Sequence, residues 1–466
     1  MRRLRYAMVG GGSGSFIGPV HRAAIRMDDL ADLVAGCFSR DQAGNAATGA
    51  ELGIEPGRTY RDWRSLIDGE RGRIDFLAVC TPNSSHYPIA KAALEAGLNV
   101  MCEKPLAVSS SEAQELEGLA RRKRRLLGVP FTYSGYPMVK LARDLVARGD
   151  LGAVCKVVVE YQQGSFRKID FTKPLDKRNA WKMDPGQSGK SCVVADIGVH
   201  GAHLIEYVTG LRIKAVAADL SSFAPGNRLD DDASILMRLE KGAKAAMVAS
   251  KIATGEENGL RLRVYGDKAS LSWNVEEGNY LHVREAFGPE RIYKRNAPYI
   301  AGLSKVSKRC SRTPAGHHEG FIEAFANHYR EFCSALRGGK GCDFPQAKDG
   351  LRTIRFVDAA LASSRDDSRW VSLTGDSVRP PGCAASDGMQ SEATAKLRTR
   401  QARPSRATHD DEGVVATGRD TLHCVRDGRL QRGGADVVAT GRDAIHCVRN
   451  REGLAITSPS KKEKRR

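Results

Sequence analysis

Leu4-Arg5-Tyr6-Ala7-Met8-Val9-Gly10-Gly11-Gly12-Ser13-Gly14 opens the chain with a short apolar run that ends in a glycine-rich stretch. A helical pattern follows, from about Pro19 to Asp28. Strand, glycine turn and helix in this order bring backbone amides and the positive end of a helix dipole to one point, an arrangement that receives a pyrophosphate. Gly10 and Gly12 fill the first two positions of a G-x-G-x-x-G pattern, and the third falls on Ser15. Gly18, three residues before His21, serves as the third glycine if the loop carries extra residues. The expectation is a phosphate cradle longer than usual, built from Gly10, Gly12, Gly14 and Gly18.

Outward from this turn the alternation continues. Leu33–Phe38 is a second apolar run, followed by a helix near Asp41–Leu52. Ile74–Cys80 is nearly continuous and apolar, as buried parallel strands are. Ser84 or Ser85 offers a cap for a helix that holds Pro88 in its first turn and stops at Gly97. Leu98–Cys102 reads as a strand, Ser111–Arg125 as a helix and Leu126–Tyr133 as a returning strand. Repeated β-α-β units imply a doubly wound parallel sheet, with ligands bound beyond the carboxyl ends of its strands. The loops after Val9, Phe38, Cys80 and Cys102 then share one edge. An NAD site usually has an acid at the end of its second strand, but Ser39 and Arg40 stand here, with Asp41 one step later. Serine and arginine suit a 2′-phosphate, so the cofactor is NAD or NADP with NADP favoured.

Composition limits the remaining classes. Of 466 residues, 41% are hydrophobic and 27% charged, a globular balance. No apolar run reaches the ~18 residues of a membrane span. The segment after Met1-Arg2-Arg3-Leu4-Arg5 is too short and too glycine-rich for a signal peptide. The 11 cysteines include no C-x-x-C pair, which points to free thiols in a reducing cytoplasm rather than to a disulfide framework. The formal net charge is +18. Residues 374–466 hold 18 Lys and Arg against 12 Asp and Glu but no Phe, Trp or Tyr, so this stretch buries little apolar area and reads as a disordered extension. It carries a repeat: Val414–Asp420 recurs as Val437–Asp443, followed by His423-Cys424 and His446-Cys447. A metal site from these pairs is one reading, and a duplicated extension without function is the favoured one.

Three segments taken together resemble the Gfo/Idh/MocA oxidoreductases, the glucose-fructose oxidoreductase and inositol dehydrogenase relatives. They are the glycine loop with His21, then Thr81-Pro82-Asn83-Ser84-Ser85-His86 leading to Glu103-Lys104-Pro105, and Asp196-Ile197-Gly198-Val199-His200. The resemblance spans about residues 3–373 and implies an α/β protein of two domains. Residues 1–130 would form an NAD(P)-binding Rossmann domain. Residues 131–373 would form an α/β domain with a large, mostly antiparallel sheet that binds substrate and mediates homo-oligomer contact. Strand-like runs at Val154–Tyr161, Ala215–Asp219, Ala233–Arg238, Ala245–Lys251, Leu260–Tyr265, Ala269–Trp273 and Tyr280–Val283 agree with this.

The resemblance also implies roles. Lys104 would bind the substrate hydroxyl, stabilise a developing alkoxide and, as a cofactor contact, orient the nicotinamide carboxamide. His200 would take the hydroxyl proton, and Asp196 would orient His200 or contact a second hydroxyl. Thr81, Asn83, His86 and Glu103 would lie along the cofactor. Trp181-Lys182-Met183-Asp184-Pro185 resembles a Trp-Arg-x-Asp-Pro segment that reaches the cofactor, with Lys182 in place of the arginine and so without its bidentate fork. Phe131-Thr132-Tyr133 departs from the polar pair that relatives place before the tyrosine.

Other readings compete at several points. Asp196, His200 and His203 share a helix face at i, i+4 and i+7 and form a possible metal set, but Lys104 would repel a cation and the relatives need no metal, so none is expected. His203 reads as a core histidine. At most one of His317 and His318 can face a cleft. The basic run Arg121–Arg125 lacks aromatics and sits at a helix end, so no specific nucleic acid is expected. The resulting expectation is a hydride transfer between nicotinamide and a secondary alcohol carbon of a sugar, sugar derivative or cyclitol. A non-catalytic NAD(P)-sensing binding protein and an NAD-dependent glycoside hydrolase of the same family are the alternatives.

Overall fold

The computed structural model describes residues 2–373 and two short strands, Cys447–Asn450 and Gly453–Ile456. The first sheet is parallel. Its strands are β1 (Leu4–Gly10), β2 (Ala31–Cys37), β3 (Phe76–Cys80), β4 (Asn99–Cys102) and β5 (Leu127–Gly128), in the order β2-β1-β3-β4-β5. All five residues of β3 are buried, because both sheet faces are covered by helices. The order reverses beside β1, so the crevice beyond its carboxyl end is where a ligand of such a sheet binds.

The second sheet has nine strands: β6 (Val154–Gln162), β7 (Ile213–Ser221), β8 (Asp232–Leu239), β9 (Lys244–Ser250), β10 (Gly259–Gly266), β11 (Ala269–Asn274), β12 (Tyr280–Glu285), β13 (Glu290–Lys294) and β14 (Val371–Ser372). Their order is β13-β12-β11-β10-β6-β9-β8-β7-β14. Every pairing is antiparallel except that of β6 with β9. Alternation sets its faces. Ala233, Ile235, Met237 and Leu239 of β8 point to the core, while Leu236 between them is 56% exposed. The two sheets share one continuous apolar core, joined by helices Val199–Thr209 and Ala347–Arg365. A second core lies on the other face of the parallel sheet, where Tyr6, Met8 and Phe76 meet Phe325, Tyr329 and Phe332 of helix Phe321–Leu336. A late segment of the chain thus returns to cover the first sheet.

The α/β architecture with one parallel and one mostly antiparallel sheet is as expected. Four local features differ. The run Leu126–Tyr133 pairs only at Leu127 and Gly128, because Pro130 has no N–H for a ladder; a 3₁₀ turn, Thr132–Gly135, follows. Ser85 does not cap helix His86–Glu95; its hydroxyl donates to Pro82 O at 2.7 Å within a 3₁₀ turn, Asn83–Ser85. The helix expected at Ser111–Arg125 runs from Ser110 to Lys123, capped by Ser109 and ended by Arg124 in a left-handed conformation. β13, Glu-Arg-Ile-Tyr-Lys, escapes the apolar pattern because it is a charged edge strand.

The eight cysteines within residues 2–373 are free thiols. No described helix is long and apolar enough to cross a membrane. The expected disordered extension at 374–466 and its His-Cys pairs lie outside the described residues, apart from the antiparallel pair of Cys447–Asn450 with Gly453–Ile456.

Candidate active site

The glycine turn is shaped by close approach. Gly10, Gly11 and Gly14 have φ of +80°, +73° and +79°, a region that side chains disfavour. A Cβ on Gly10 would stand 2.3 Å from Cys80 O, and one on Gly12 would stand 2.8 Å from Phe38 O. Gly18 has a negative φ, but its Cβ would meet Gly11 Cα at 2.3 Å. Gly18 therefore lets helix Ile17–Met27 close onto the loop, the packing task of a third glycine. Arg22 donates to Gly11 O at 2.7 Å and Ser15 Oγ accepts from Gly18 N at 3.2 Å, so the turn is fixed from both sides. Gly14 faces open space. A bare backbone at the mouth of a helix fits a dinucleotide diphosphate.

At the end of β2, Asp41 caps helix Gln42–Glu51 by accepting from Gly44 N at 2.9 Å. Asp41, the first acid after β2, is thus committed to the helix. Ser39 Oγ accepts from Asp41 N at 3.1 Å. Arg40 is exposed, and its guanidinium makes no ion pair among the described residues.

The four residues expected along the cofactor have distinct placements. Thr81 Oγ1 is buried without a hydrogen-bond partner. Asn83 Nδ2 donates to Ser188 O at 2.9 Å. His86 has Nδ1 2.7 Å from Pro105 O and Nε2 2.8 Å from Thr81 O, tying the loops after β3 and β4 together; burial lowers its pKa. Glu103 faces inward. Its Oε1 lies 2.7 Å from His21 Nε2 and its Oε2 accepts from Lys104 N at 3.0 Å, while His21 Nδ1 is 2.5 Å from Tyr329 Oη. Burial opposes charge on His21, but Cys80 and Glu103 outweigh it and push the pKa up to about 10. His86 and Glu103 therefore turn their polar side-chain atoms to protein, as Asn83 does with its Nδ2, and Glu103 anchors the backbone that carries Lys104.

Lys104 meets Asp196 across the cleft. Its Nζ donates to Asp196 Oδ1 and to Asp196 O, both at 2.7 Å. Asp196 lies in a π-helical turn, Val194–Gly198, that leads into helix Val199–Thr209. Asp230 holds this turn by accepting from the amides of Cys192 and Val194, each at 2.9 Å. Two more ammonium groups converge on Asp196 Oδ2: Lys182 Nζ at 3.0 Å and Lys251 Nζ at 2.6 Å. Burial would raise the Asp196 pKa, yet Lys104, Lys182 and Lys251 hold it well below the carboxylate range. Lys182 was expected to reach toward the cofactor; its ammonium instead lies on Asp196, near the Trp181 ring at 5.9 Å.

His200 stands one turn beyond Asp196, and no bond joins them, so of the two roles expected of Asp196 the orienting of His200 is not seen; the three side-chain partners of Asp196 are lysines. His200 Nδ1 is buried and unpartnered. Burial, then the charge of Lys104, holds its pKa well below the usual histidine value, so the ring is a neutral base. Tyr133 lies edge-on to it at 4.9 Å. The Tyr133 and Tyr161 hydroxyls are bonded to each other, and Tyr161 donates to Asn258 Oδ1 at 2.8 Å, a buried polar cluster beside His200. His203 stacks on Phe131 at 4.4 Å, a core position. His317 and His318 are exposed, and His318 lies against Tyr280 at 6.2 Å.

Sequence reasoning missed Lys251, Asp230 and the Tyr133–Tyr161–Asn258 cluster. Lys251 left one signal, an ionisable residue closing the apolar run of β9.

Residues 4–131 match the oxidoreductase family with an NAD-binding Rossmann fold, and residues 139–272 match the GFO/IDH/MocA C-terminal domain. An uncharacterized oxidoreductase of Bacillus subtilis, YfiI, is 33% identical over 79% of this chain and 96% of its own length. The levoglucosan dehydrogenase of Pseudarthrobacter phenanthrenivorans is 26% identical over 80% of this chain and 99% of its own. The structure of an inositol dehydrogenase homolog from Azotobacter vinelandii with NAD+ superposes with a TM-score of 0.76 at 34% identity, covering 80% of this chain and 97% of that one. A second structure of that homolog holds NADH and myo-inositol, with a TM-score of 0.74, 34% identity and coverage of 80% and 98%. With both halves matched and the glycine cradle and lysine–aspartate–histidine cluster in place, the chain belongs to the Gfo/Idh/MocA family of NAD-binding oxidoreductases, enzymes that act on CH–OH groups.

Proposed function

We propose that the enzyme interconverts a secondary alcohol and a ketone on a sugar, sugar derivative or cyclitol, with Lys104 and His200 handling the hydroxyl. The observation that carries this reading is the meeting of Lys104 with Asp196, one helical turn before a neutral, unpartnered His200. The Lys104 ammonium can donate to the substrate oxygen and hold the negative charge that grows there as the O–H proton leaves. His200 takes that proton as a neutral base. Asp196 keeps the three lysines in place and leaves His200 free. A bound nicotinamide dinucleotide supplies the hydride acceptor. The relatives solved with NADH and myo-inositol and named for levoglucosan support the substrate class. Cofactor-linked turnover across a polyol and sugar panel tests it: at least one secondary alcohol should be oxidised, and tight cofactor binding with no turnover across the panel would favour a sensing role.

NADP is the proposed preference, because Asp41 is spent on its helix and Arg40 is free. Arg40→Ala is expected to raise the KM for NADP+ roughly tenfold, the scale of one charge-assisted contact, and to leave that for NAD+ nearly unchanged. Equal effects on both would remove the preference. Residues 1–130 and 131–373 are proposed as the cofactor and substrate domains. We also propose a homo-oligomer formed through the open face of the second sheet, where Leu236 and Val248 are exposed. Leu236→Glu should lower the mass measured by light scattering, and an unchanged mass would count against that interface.

A further inference from the structure

The cluster on Asp196 is unbalanced. Three ammonium groups, from Lys104, Lys182 and Lys251, face one carboxylate. Asp230, the next acid whose charge reaches Lys251, has its oxygens occupied by Ser191 Oγ and the amides of Cys192 and Val194. An ammonium has three protons to donate. Lys104 uses two on Asp196, whereas Lys182 and Lys251 each use one there. The side chains of Lys104 and Lys182 are 16% and 22% exposed, enough to meet a ligand but too little for full hydration, and that of Lys251 is 2% exposed. Excess charge in such a site is costly unless a counter-charge and hydrogen-bond acceptors arrive together. A neutral polyol brings acceptors without charge.

We propose that the substrate is an acidic polyol: a sugar or cyclitol bearing a carboxylate or a phosphate ester whose anionic oxygens accept from Lys182, with Lys251 supplying charge behind it. This rests on the dehydrogenase reading, since Lys104 ties the anion seat to the reacting hydroxyl and so places the acidic group close to the oxidised carbon. Lys182 fits the task by its surroundings as well. Burial and the two neighbouring lysines push its pKa down against the pull of Asp196, and an anion beside it would restore the balance. A lysine serves this role as a point charge, without the two-pronged geometry of arginine.

The test uses the full chain and matched pairs: glucuronate against glucose, and glucose 6-phosphate against glucose, with myo-inositol as a further neutral probe. Turnover gives kcat/KM, and calorimetry on the NADH-loaded protein gives binding where turnover is slow. At least one acidic member should exceed its neutral partner about tenfold or more, mainly through KM, and the advantage should shrink as salt rises. Whichever acidic probe wins identifies the carboxylate or the phosphate ester. Lys182→Met should abolish the advantage, and Lys182→Arg should retain it. Neutral probes bound and turned over as well as their acidic partners by the wild-type protein would overturn the proposal and leave the dehydrogenase reading standing. No probe of either kind bound or turned over, with NADH binding intact, would overturn both.

Discussion

Lys104→Met should lower kcat/KM by about 10²–10⁴-fold, the range for removing a positioned proton-handling group, while the Kd for NADH should change less than about threefold. Lys104 reaches across the cleft to Asp196, and its backbone is held by Glu103, which is itself held by His21. Methionine keeps much of the stem and removes only the ammonium, so the loop after β4 stays where it is and the cofactor cradle, built from a different loop, is untouched. The loss should fall on kcat as well as KM, because the charge on the substrate oxygen grows only toward the transition state. His200→Asn should cost a similar factor. Turnover in either variant within about tenfold of wild type would separate that residue from the chemistry.

Acid should destabilise this fold steeply, beginning well above the carboxylate range. His86, His200, His203 and His328 are buried, and burial is the first cause of a lowered pKa in each. His203 falls to about 4 and His328 to about 3. Unfolded histidines titrate near 6.5, so between that pH and the folded values the unfolded chain holds more protons and stability falls with pH. Each histidine adds at most ~1.4 kcal/mol per pH unit to that slope. Asp196 adds a further loss below about pH 4, where its unfolded carboxyl would protonate first. His21 acts in the opposite sense. Its raised pKa gives stability that is complete below about 6.5 and is lost as pH climbs toward 10. Denaturant unfolding from pH 7 to 4.5 should therefore show a slope approaching several protons, and His328→Gln should reduce it by about one. A flat profile over that range would mean that these rings are not buried neutral in the folded protein.

The residues that announced the fold were those whose local chemistry is demanding. Gly10, Gly12 and Gly18 had to be glycine, because a Cβ on any of them would strike backbone. The strands of the second sheet were visible where one face is buried over a full run, as at β8, and invisible at the charged edge strand β13 and the two-residue strand β14. Lys104, Asp196 and His200 were legible through resemblance, and the structure brings Lys104 and Asp196 into contact. The arrangement around them was not legible. Lys182 and Lys251 reach one carboxylate from segments far apart in the chain, and no spacing rule links them. Tyr329 likewise supports His21 from the far end of the described chain, a pairing that only the return of helix Phe321–Leu336 makes possible.

The central claim is that one substrate oxygen sits between Lys104 and His200. A crystal structure of the full chain with NADH and a turned-over polyol measures this directly. The reacting oxygen should lie within hydrogen-bond distance, about 3 Å, of both Lys104 Nζ and a ring nitrogen of His200. A polyol bound in the cleft with that oxygen beyond about 4 Å from either group would contradict it.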